Sequence, residues 1–234
     1  MAATEKKSGK AVVLLSGGMD SATVAAMARE QGFSIYALSF RYGQRHAIEL
    51  EAASHVARQQ QARKHLIVDL DPRLFCSALT TDADIPRGRS SSEIAHSGIP
   101  ATYVPARNTL FLSLALAWAE SISASDIFLG IHKLDSSGYP DCRPKYLKAY
   151  RKMASLATRT GVTGQAPIRI QAPLIKWDKS RIITEGMRLG VDYGLTTSCY
   201  DPLSAGACGV CDACRLRLDG FGKLNLKDPI GYRV

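Results

Sequence analysis

The sequence predicts an α/β fold: a parallel, five-stranded, doubly wound sheet with a small C-terminal four-cysteine segment. Three observations carry this. Short apolar or β-branched runs alternate with helical patterns along the chain, and such alternation builds a parallel sheet covered by helices on both faces. The first run leads through a glycine turn into a helix, "VVLLSGGMDSATVAAMA". Four of the six cysteines crowd into "TTSCYDPLSAGACGVCDACRLRL" near the C-terminus.

The runs "AVVLL" (11–15), "SIYALSF" (34–40), "KHLIVDL" (64–70), "DIFLGI" (126–131) and "IRIQAPLI" (168–175) read as buried strands. Helical patterns begin near Asp20, His46, Asn108, Pro144 and Lys179, with Gly32, Gly161 and Gly190 as expected stops. The stretch 71–105, rich in Ser, Asp, Pro and Gly, reads as one long irregular connection, a length that marks a functional lid or disorder. No internal repeat or low-complexity segment is evident.

At 234 residues, with 46% hydrophobic and 22% charged residues, the chain can bury one sizeable core. The expected division is an α/β domain over 1–194 and a C-terminal metal-binding segment over 195–234, packed on the same domain. The apolar run after the basic "MAATEKKSGK" is too short for a signal-peptide core, so a cytoplasmic protein is expected. The longest charge-free apolar stretch, 109–119, falls short of the roughly 20 residues of a membrane span.

The net charge of +9 is uneven. Residues 143–188 hold eleven Lys/Arg against two acids, Asp178 and Glu185, and so carry the whole excess. Two readings stand: solvated helical faces, or a field that attracts nucleotide triphosphates or nucleic acid.

The turn "SGGMDS" lies between the first strand and its helix. Gly17 and Gly18 allow a tight turn, and the free N–H groups of the helix start make an anion site. Neither the Walker Gly-Lys-Ser/Thr nor Gly-x-Gly-x-x-Gly is present. The plain alternative is an ordinary turn in which Asp20 caps the helix.

Cys199, Cys208, Cys211 and Cys214 have the spacing C-x8-C-x2-C-x2-C, with Gly206 and Gly209 in the connecting loop. Four thiolates suit one tetrahedral, structural zinc per chain. An iron–sulfur cluster is the rival, since C-x2-C-x2-C also begins ferredoxin patterns. Cys76 and Cys142 lie outside this set.

"SGGMDS" resembles Ser-Gly-Gly-x-Asp-Ser, the pyrophosphate loop of the adenylating ATP pyrophosphatase superfamily. With "RYGQRHAIELEAA", "YVPARNTLFLSLALAWAE", "SSGYPDCRPKYLKA" and the cysteine tail, the chain resembles the 7-cyano-7-deazaguanine synthase family from Ala11 to about Leu218. His132 and Lys133 before "SGYPDCR", and Ala106 in "VPARN", depart from what that family leads one to expect.

The resemblance implies an ATP-dependent ligase that joins ammonia to 7-carboxy-7-deazaguanine and yields the nitrile, releasing AMP and pyrophosphate from each of two adenylations. It implies ATP binding by Leu15, Ser16, Gly17, Gly18, Met19, Asp20 and Ser21, with Asp20, Ser16 and Arg107 serving catalysis and Asp20 orienting magnesium or its water shell. "SGYPDCR" follows the fourth strand and so belongs on the ligand edge of the sheet: Tyr139 to stack on the base, Asp141 to accept its N–H groups, Arg143 to meet the substrate carboxylate. Arg45, His46 and Lys179 stand nearby without an assigned direction. A homodimer is implied, and no stable nucleic-acid complex is expected. The rivals are a tRNA-modifying adenylase, perhaps a thiolase, and a non-enzymatic zinc module that binds nucleic acid through its positive charge.

Overall fold

A computed structural model of the protein describes residues 9–44, 48–81, 83–96, 98–202 and 206–233. In chain order the elements are β1 (Lys10–Leu14), α1 (Met19–Glu30), β2 (Ser34–Arg41), α2 (Ile48–Gln59), β3 (Lys64–Asp69), α3 (Ser91–His96) and α4 (Arg107–Ser121). Then come β4 (Asp126–Phe128), α5 (Lys133–Gly138), α6 (Pro144–Ala157), α7 (Arg159–Val162), β5 (Arg169–Gln171), α8 (Lys179–Arg188) and α9 (Asp212–Gly222). Single 3-10 turns form at Pro72–Leu74, Pro140–Cys142 and Tyr193–Leu195.

The sheet order is β3-β2-β1-β4-β5, with every neighbouring pair parallel. In the central strand β1, Ala11 and Val13 join a core with α1, α2 and α8, while Val12 joins the opposite core with α4 and α6. That two-residue period, apolar on both faces, is why "AVVLL" reads as an unbroken hydrophobic run. Strand order reverses between β1 and β4, and the crevice at the C-terminal ends of these two strands is where ligands of open α/β sheets bind.

Two strands are shorter than their apolar runs. β4 stops at Phe128; Leu129 still donates its N–H to Gln171 O of β5 (3.0 Å), and Leu129 and Gly130 then wall the crevice. β5 stops at Gln171, two residues before Pro173, which has no N–H for a ladder. Gly161 does not end a helix: α6 ends at Ala157, Thr158 is extended (φ −114°, ψ 148°), and Gly161 lies inside α7. Gly32 and Gly190 do follow α1 and α8, both with positive φ.

The connection 71–105 is less irregular than its composition suggests. Ser90 and Glu93 form a reciprocal cap at the start of α3, with Glu93 Oε2 2.7 Å from Ser90 N and Ser90 Oγ 3.2 Å from Glu93 N. The "SSSE" signature of that cap is present in the sequence. The connection docks on the cysteine tail: Gly88 N donates to Val210 O (2.9 Å), Arg89 Nε to Asp212 Oδ1 (3.0 Å), and Arg87 pairs with Asp201.

Five of the eleven cations of the basic stretch meet partners within the protein. Arg169 pairs with Asp126, Lys179 with Asp20, and Arg188 with Glu30 and Glu185. Arg151 donates to Ile170 O and Arg181 lies over the Trp177 ring. Lys145, Lys148 and Lys152 are exposed on α6, a solvated helical face. Among the described residues no helix is long and apolar enough to cross a membrane.

Candidate active site

The crevice between β1 and β4 opens into a cavity of about 310 Å³. Its floor is the turn after β1. Ser21 Oγ lies 3.2 Å from both the N and Oγ of Ser16 and donates to Gly18 O (2.9 Å), while Gly18 N donates to Ser16 Oγ (3.3 Å). No side chain caps α1, so the N–H groups of Met19, Asp20 and Ser21 precede its first hydrogen bond, from Ala22 N to Gly18 O. This nest of N–H and hydroxyl groups suits an anion.

The residues expected to bind nucleotide divide by what they face. Leu15, Ser16, Gly18, Asp20 and Ser21 line the cavity. Met19 is fully buried in the core, so only its backbone can reach a ligand. Gly17 packs instead against α2: at its φ of +80° a Cβ would lie 2.4 Å from Glu49 O and 2.6 Å from Ala53 N. Gly130, after β4, closes against the loop from the other side, a Cβ there lying 3.0 Å from Ser21 N.

Asp20 does not cap α1; its Oδ2 accepts from Lys179 Nζ at 2.6 Å, and His132 Nε2 stands 3.9 Å away. Burial pushes this carboxyl up, but Lys179 and His132 together outweigh it and hold Asp20 below the ordinary carboxylate value. Among the described residues its buried Oδ1 has no partner. Arg107, the first residue of α4, donates to Tyr42 Oη (2.9 Å) and lies over the rings of Tyr42 and Phe111.

The opposite wall is aromatic. Tyr139 stacks near Tyr103 (6.1 Å, 24°) and its hydroxyl is 3.1 Å from Thr102 Oγ1. Asp141 caps α4, not the α6 that follows it: Oδ2 accepts from Asn108 N at 2.9 Å. Burial, opposed by Asn108 N–H and Arg107, leaves Asp141 above the ordinary carboxylate value. Arg143 does not join this group; it is the exposed N-cap residue of α6 and lies outside the cavity wall. Arg45 and His46 lie outside the described residues.

Several wall residues escape a sequence reading. His132 is buried and caps α5, its Nδ1 accepting from Leu134 N and Asp135 N while Asp135 Oδ2 accepts from His132 N. The spacing of "HKLD" is that of a capping box, with His in place of Ser or Thr. Glu49 of α2 also lines the cavity, and burial, partly offset by Arg107, pushes its carboxyl up to about 7. The tail contributes Thr197, Ser198, Tyr200, Asp212 and Leu216. No local pattern announces these.

The sulfurs of Cys199, Cys208, Cys211 and Cys214 all lie within 4.8 Å of one another, and all four residues are buried. A tetrahedral metal with bonds of about 2.3 Å needs sulfurs about 3.8 Å apart, and Cys208 Sγ and Cys214 Sγ lie 4.0 Å apart. Backbone N–H groups already face the sulfurs: Asp201 N and Cys208 N to Cys199 Sγ (3.3 and 3.2 Å), Cys211 N to Cys208 Sγ (3.3 Å). The cluster can therefore hold a metal ion. Buried Arg217 on α9 anchors the tail, binding Asp228 through Nε and Nη2 (2.7 and 2.9 Å), Thr196 Oγ1 (2.7 Å) and Tyr193 O (2.9 Å). The next residue, Thr197, donates its N–H to Gly17 O (3.0 Å), which joins the tail to the glycine loop.

Residues 10–225 match the family described as Queuosine biosynthesis protein QueC. The 7-cyano-7-deazaguanine synthase of Ralstonia pickettii is 58% identical over 226 residues, covering 95% of this chain and 98% of that one. Those of Stenotrophomonas maltophilia and Desulfatibacillum aliphaticivorans are 57% and 56% identical over 225 residues, with 95% of this chain and 99% and 96% of theirs covered. Among solved structures, NMN synthetase from Francisella tularensis is 17% identical at a TM-score of 0.47, covering 81% of this chain and 65% of that one. A family match across nearly the whole chain, and relatives above half identity over the same span, show that this protein belongs to the QueC family.

Proposed function

We propose that the protein is a 7-cyano-7-deazaguanine synthase that uses ATP to convert 7-carboxy-7-deazaguanine and ammonia to the nitrile, releasing AMP and pyrophosphate. The observation that carries this reading is the meeting of "SGGMDS" and the Tyr139–Asp141 wall in one cavity at the sheet's switch point. An anion nest faces a stacking surface and a carboxylate across one cavity.

A carboxylate is a poor electrophile, being anionic with a poor leaving oxygen; transfer of AMP to it repairs both faults. The chain's part is positioning and charge stabilisation. Ser16, Gly18 and Ser21 receive the departing pyrophosphate, and Arg107 supplies positive charge at the start of α4. Tyr139 stacks on the deazaguanine, and Asp141, with one oxygen given to Asn108, has acceptor capacity left for the base N–H groups. The unpartnered Asp20 Oδ1 fits an ion or its water shell, so Asp20 would hold magnesium, which screens the phosphate charge when bound. The four thiolates would hold zinc and, by supplying all four of its usual ligands, give it a structural role. The enzyme is expected to be cytoplasmic and homodimeric.

The test is product analysis with 7-carboxy-7-deazaguanine, ATP, magnesium and ammonium. The expected result is the nitrile mass with AMP and pyrophosphate; ADP and phosphate as the sole nucleotide products would reject it. A salt-sensitive gel shift with tRNA would favour the tRNA-modifying adenylase instead.

A further inference from the structure

Resting on that reaction, we infer that Glu49 is the proton acceptor for the attacking nitrogen nucleophile. Attack of ammonia on the acyl-adenylate forms the C–N bond and breaks the C–O bond to phosphate, and AMP leaves with that electron pair. The nitrogen then carries one proton too many for a neutral amide. That proton goes to a Glu49 carboxylate oxygen and later to solvent, with no change of oxidation state.

Among the described residues five carboxyl groups wall the cavity: Asp20, Glu49, Asp135, Asp141 and Asp212. Four are occupied. Asp20 is bound to Lys179, Asp135 to the N–H of His132, Asp141 to the N–H of Asn108, and Asp212 to Arg89. Among the described residues Glu49 forms no ion pair.

Among the described residues, the other titratable groups at the cavity are less suited. His132 Nδ1 already accepts two N–H groups, so a neutral ring carries its proton on Nε2 and offers no lone pair to the cavity. Lys179 is paired with Asp20, and the Cys142 thiol and the Tyr42 and Tyr139 hydroxyls are pushed up by burial.

Location supports the role. The Glu49 carbonyl lies directly against Gly17, and Glu49 lines the same cavity as Ser16, Gly18 and Ser21 of the anion nest. The groups acting on it across the cavity are Arg107 and Tyr42; on α2 itself, Glu51 and His55 are exposed. A carboxyl pushed up to about 7 is half ionised at neutral pH, near the optimum for a general base that must also release its proton.

The experiment compares the unmodified enzyme with Glu49→Gln and Glu49→Asp in two assays. Pyrophosphate release from ATP and 7-carboxy-7-deazaguanine without ammonium reads adenylation; ammonium-dependent turnover, plotted against free ammonia as pH varies, reads the attack. Glu49→Gln should keep adenylation within about threefold, lose roughly 10²–10³-fold in turnover, and lose the acid limb centred near pH 7. Glu49→Asp should restore part of the rate together with an acid limb. Unchanged turnover and pH profile in Glu49→Gln, or equal losses in both assays, would overturn the inference alone. Failure of the unmodified enzyme to release pyrophosphate would overturn the proposed reaction, and this inference with it.

Discussion

Lys179 and Asp20, 159 residues apart in the chain, form an ion pair of 2.6 Å that clasps the first turn of α8 to the first turn of α1 at the cavity wall. The pair presents a carboxylate held ionised against burial, with one oxygen bound and the other unpartnered.

Lys179→Met should leave that carboxylate buried without its main partner. Removing one member of a buried pair costs roughly 3 kcal/mol, or a melting-point fall of about 6–10 °C at this size. The folded Asp20 value is depressed, so the pair's contribution is present above the ordinary carboxylate value and lost as pH falls through the folded one. Thermal melts of both proteins should therefore differ at pH 7 and converge in strong acid. A difference constant across that range would show the loss to come from packing.

The two glycines of the loop should respond differently to alanine. At Gly17 the new Cβ meets backbone at 2.4 Å with φ at +80°, so Gly17→Ala should lose roughly 3 kcal/mol or more. Gly18 has φ −79° and ψ 161°, and its nearest neighbours would be Ser16 Oγ at 3.4 Å and Thr197 O at 3.5 Å. Gly18→Ala should melt within a few degrees of the parent, yet raise the KM for ATP by about tenfold or more, because its methyl enters the anion nest. Melting curves and ATP titrations separate the two effects.

Ala106, just before α4, is held at φ +53° and ψ 18°, a left-handed conformation that costs a residue with a Cβ roughly 1–2 kcal/mol. Ala106→Gly removes that strain and gives back part of it as unfolded-chain entropy. The expected net is a stabilisation of roughly 0.5–1 kcal/mol, read as a rise in denaturant midpoint at unchanged slope. A fall would place a stabilising contact of the Ala106 methyl above the strain.

Metal analysis should give about one zinc per chain, and Cys211→Ser should lose it. The Arg87–Cys211 bridge and the Gly88 to Val210 hydrogen bond tie the connection before α3 to the cluster, so amide exchange should speed up over 85–90 and 199–202. Over α9 it should rise less, because Arg217 and Asp228 hold that helix independently of the metal. Uniform acceleration would mean that the cluster nucleates the whole tail. Iron–sulfur absorbance after anaerobic purification would replace zinc with the rival cluster.

What the sequence by itself determined are features encoded within a few residues of one another. The short, unbroken apolar run "AVVLL" marks a buried strand, Gly17 and Gly18 before a helix mark an anion turn, and C-x8-C-x2-C-x2-C brings four thiolates within reach of one ion. Each follows from local geometry and survives any tertiary arrangement. Only the tertiary structure decided that Lys179 meets Asp20, that Arg143 turns to solvent, that Asp141 caps α4, and that Glu49 sits partly buried beside the glycine loop. Those outcomes depend on how the β3-β2-β1-β4-β5 order brings distant chain segments to one edge. The charge state of a side chain there is set by burial and by partners drawn from elsewhere in the chain, which no local pattern specifies.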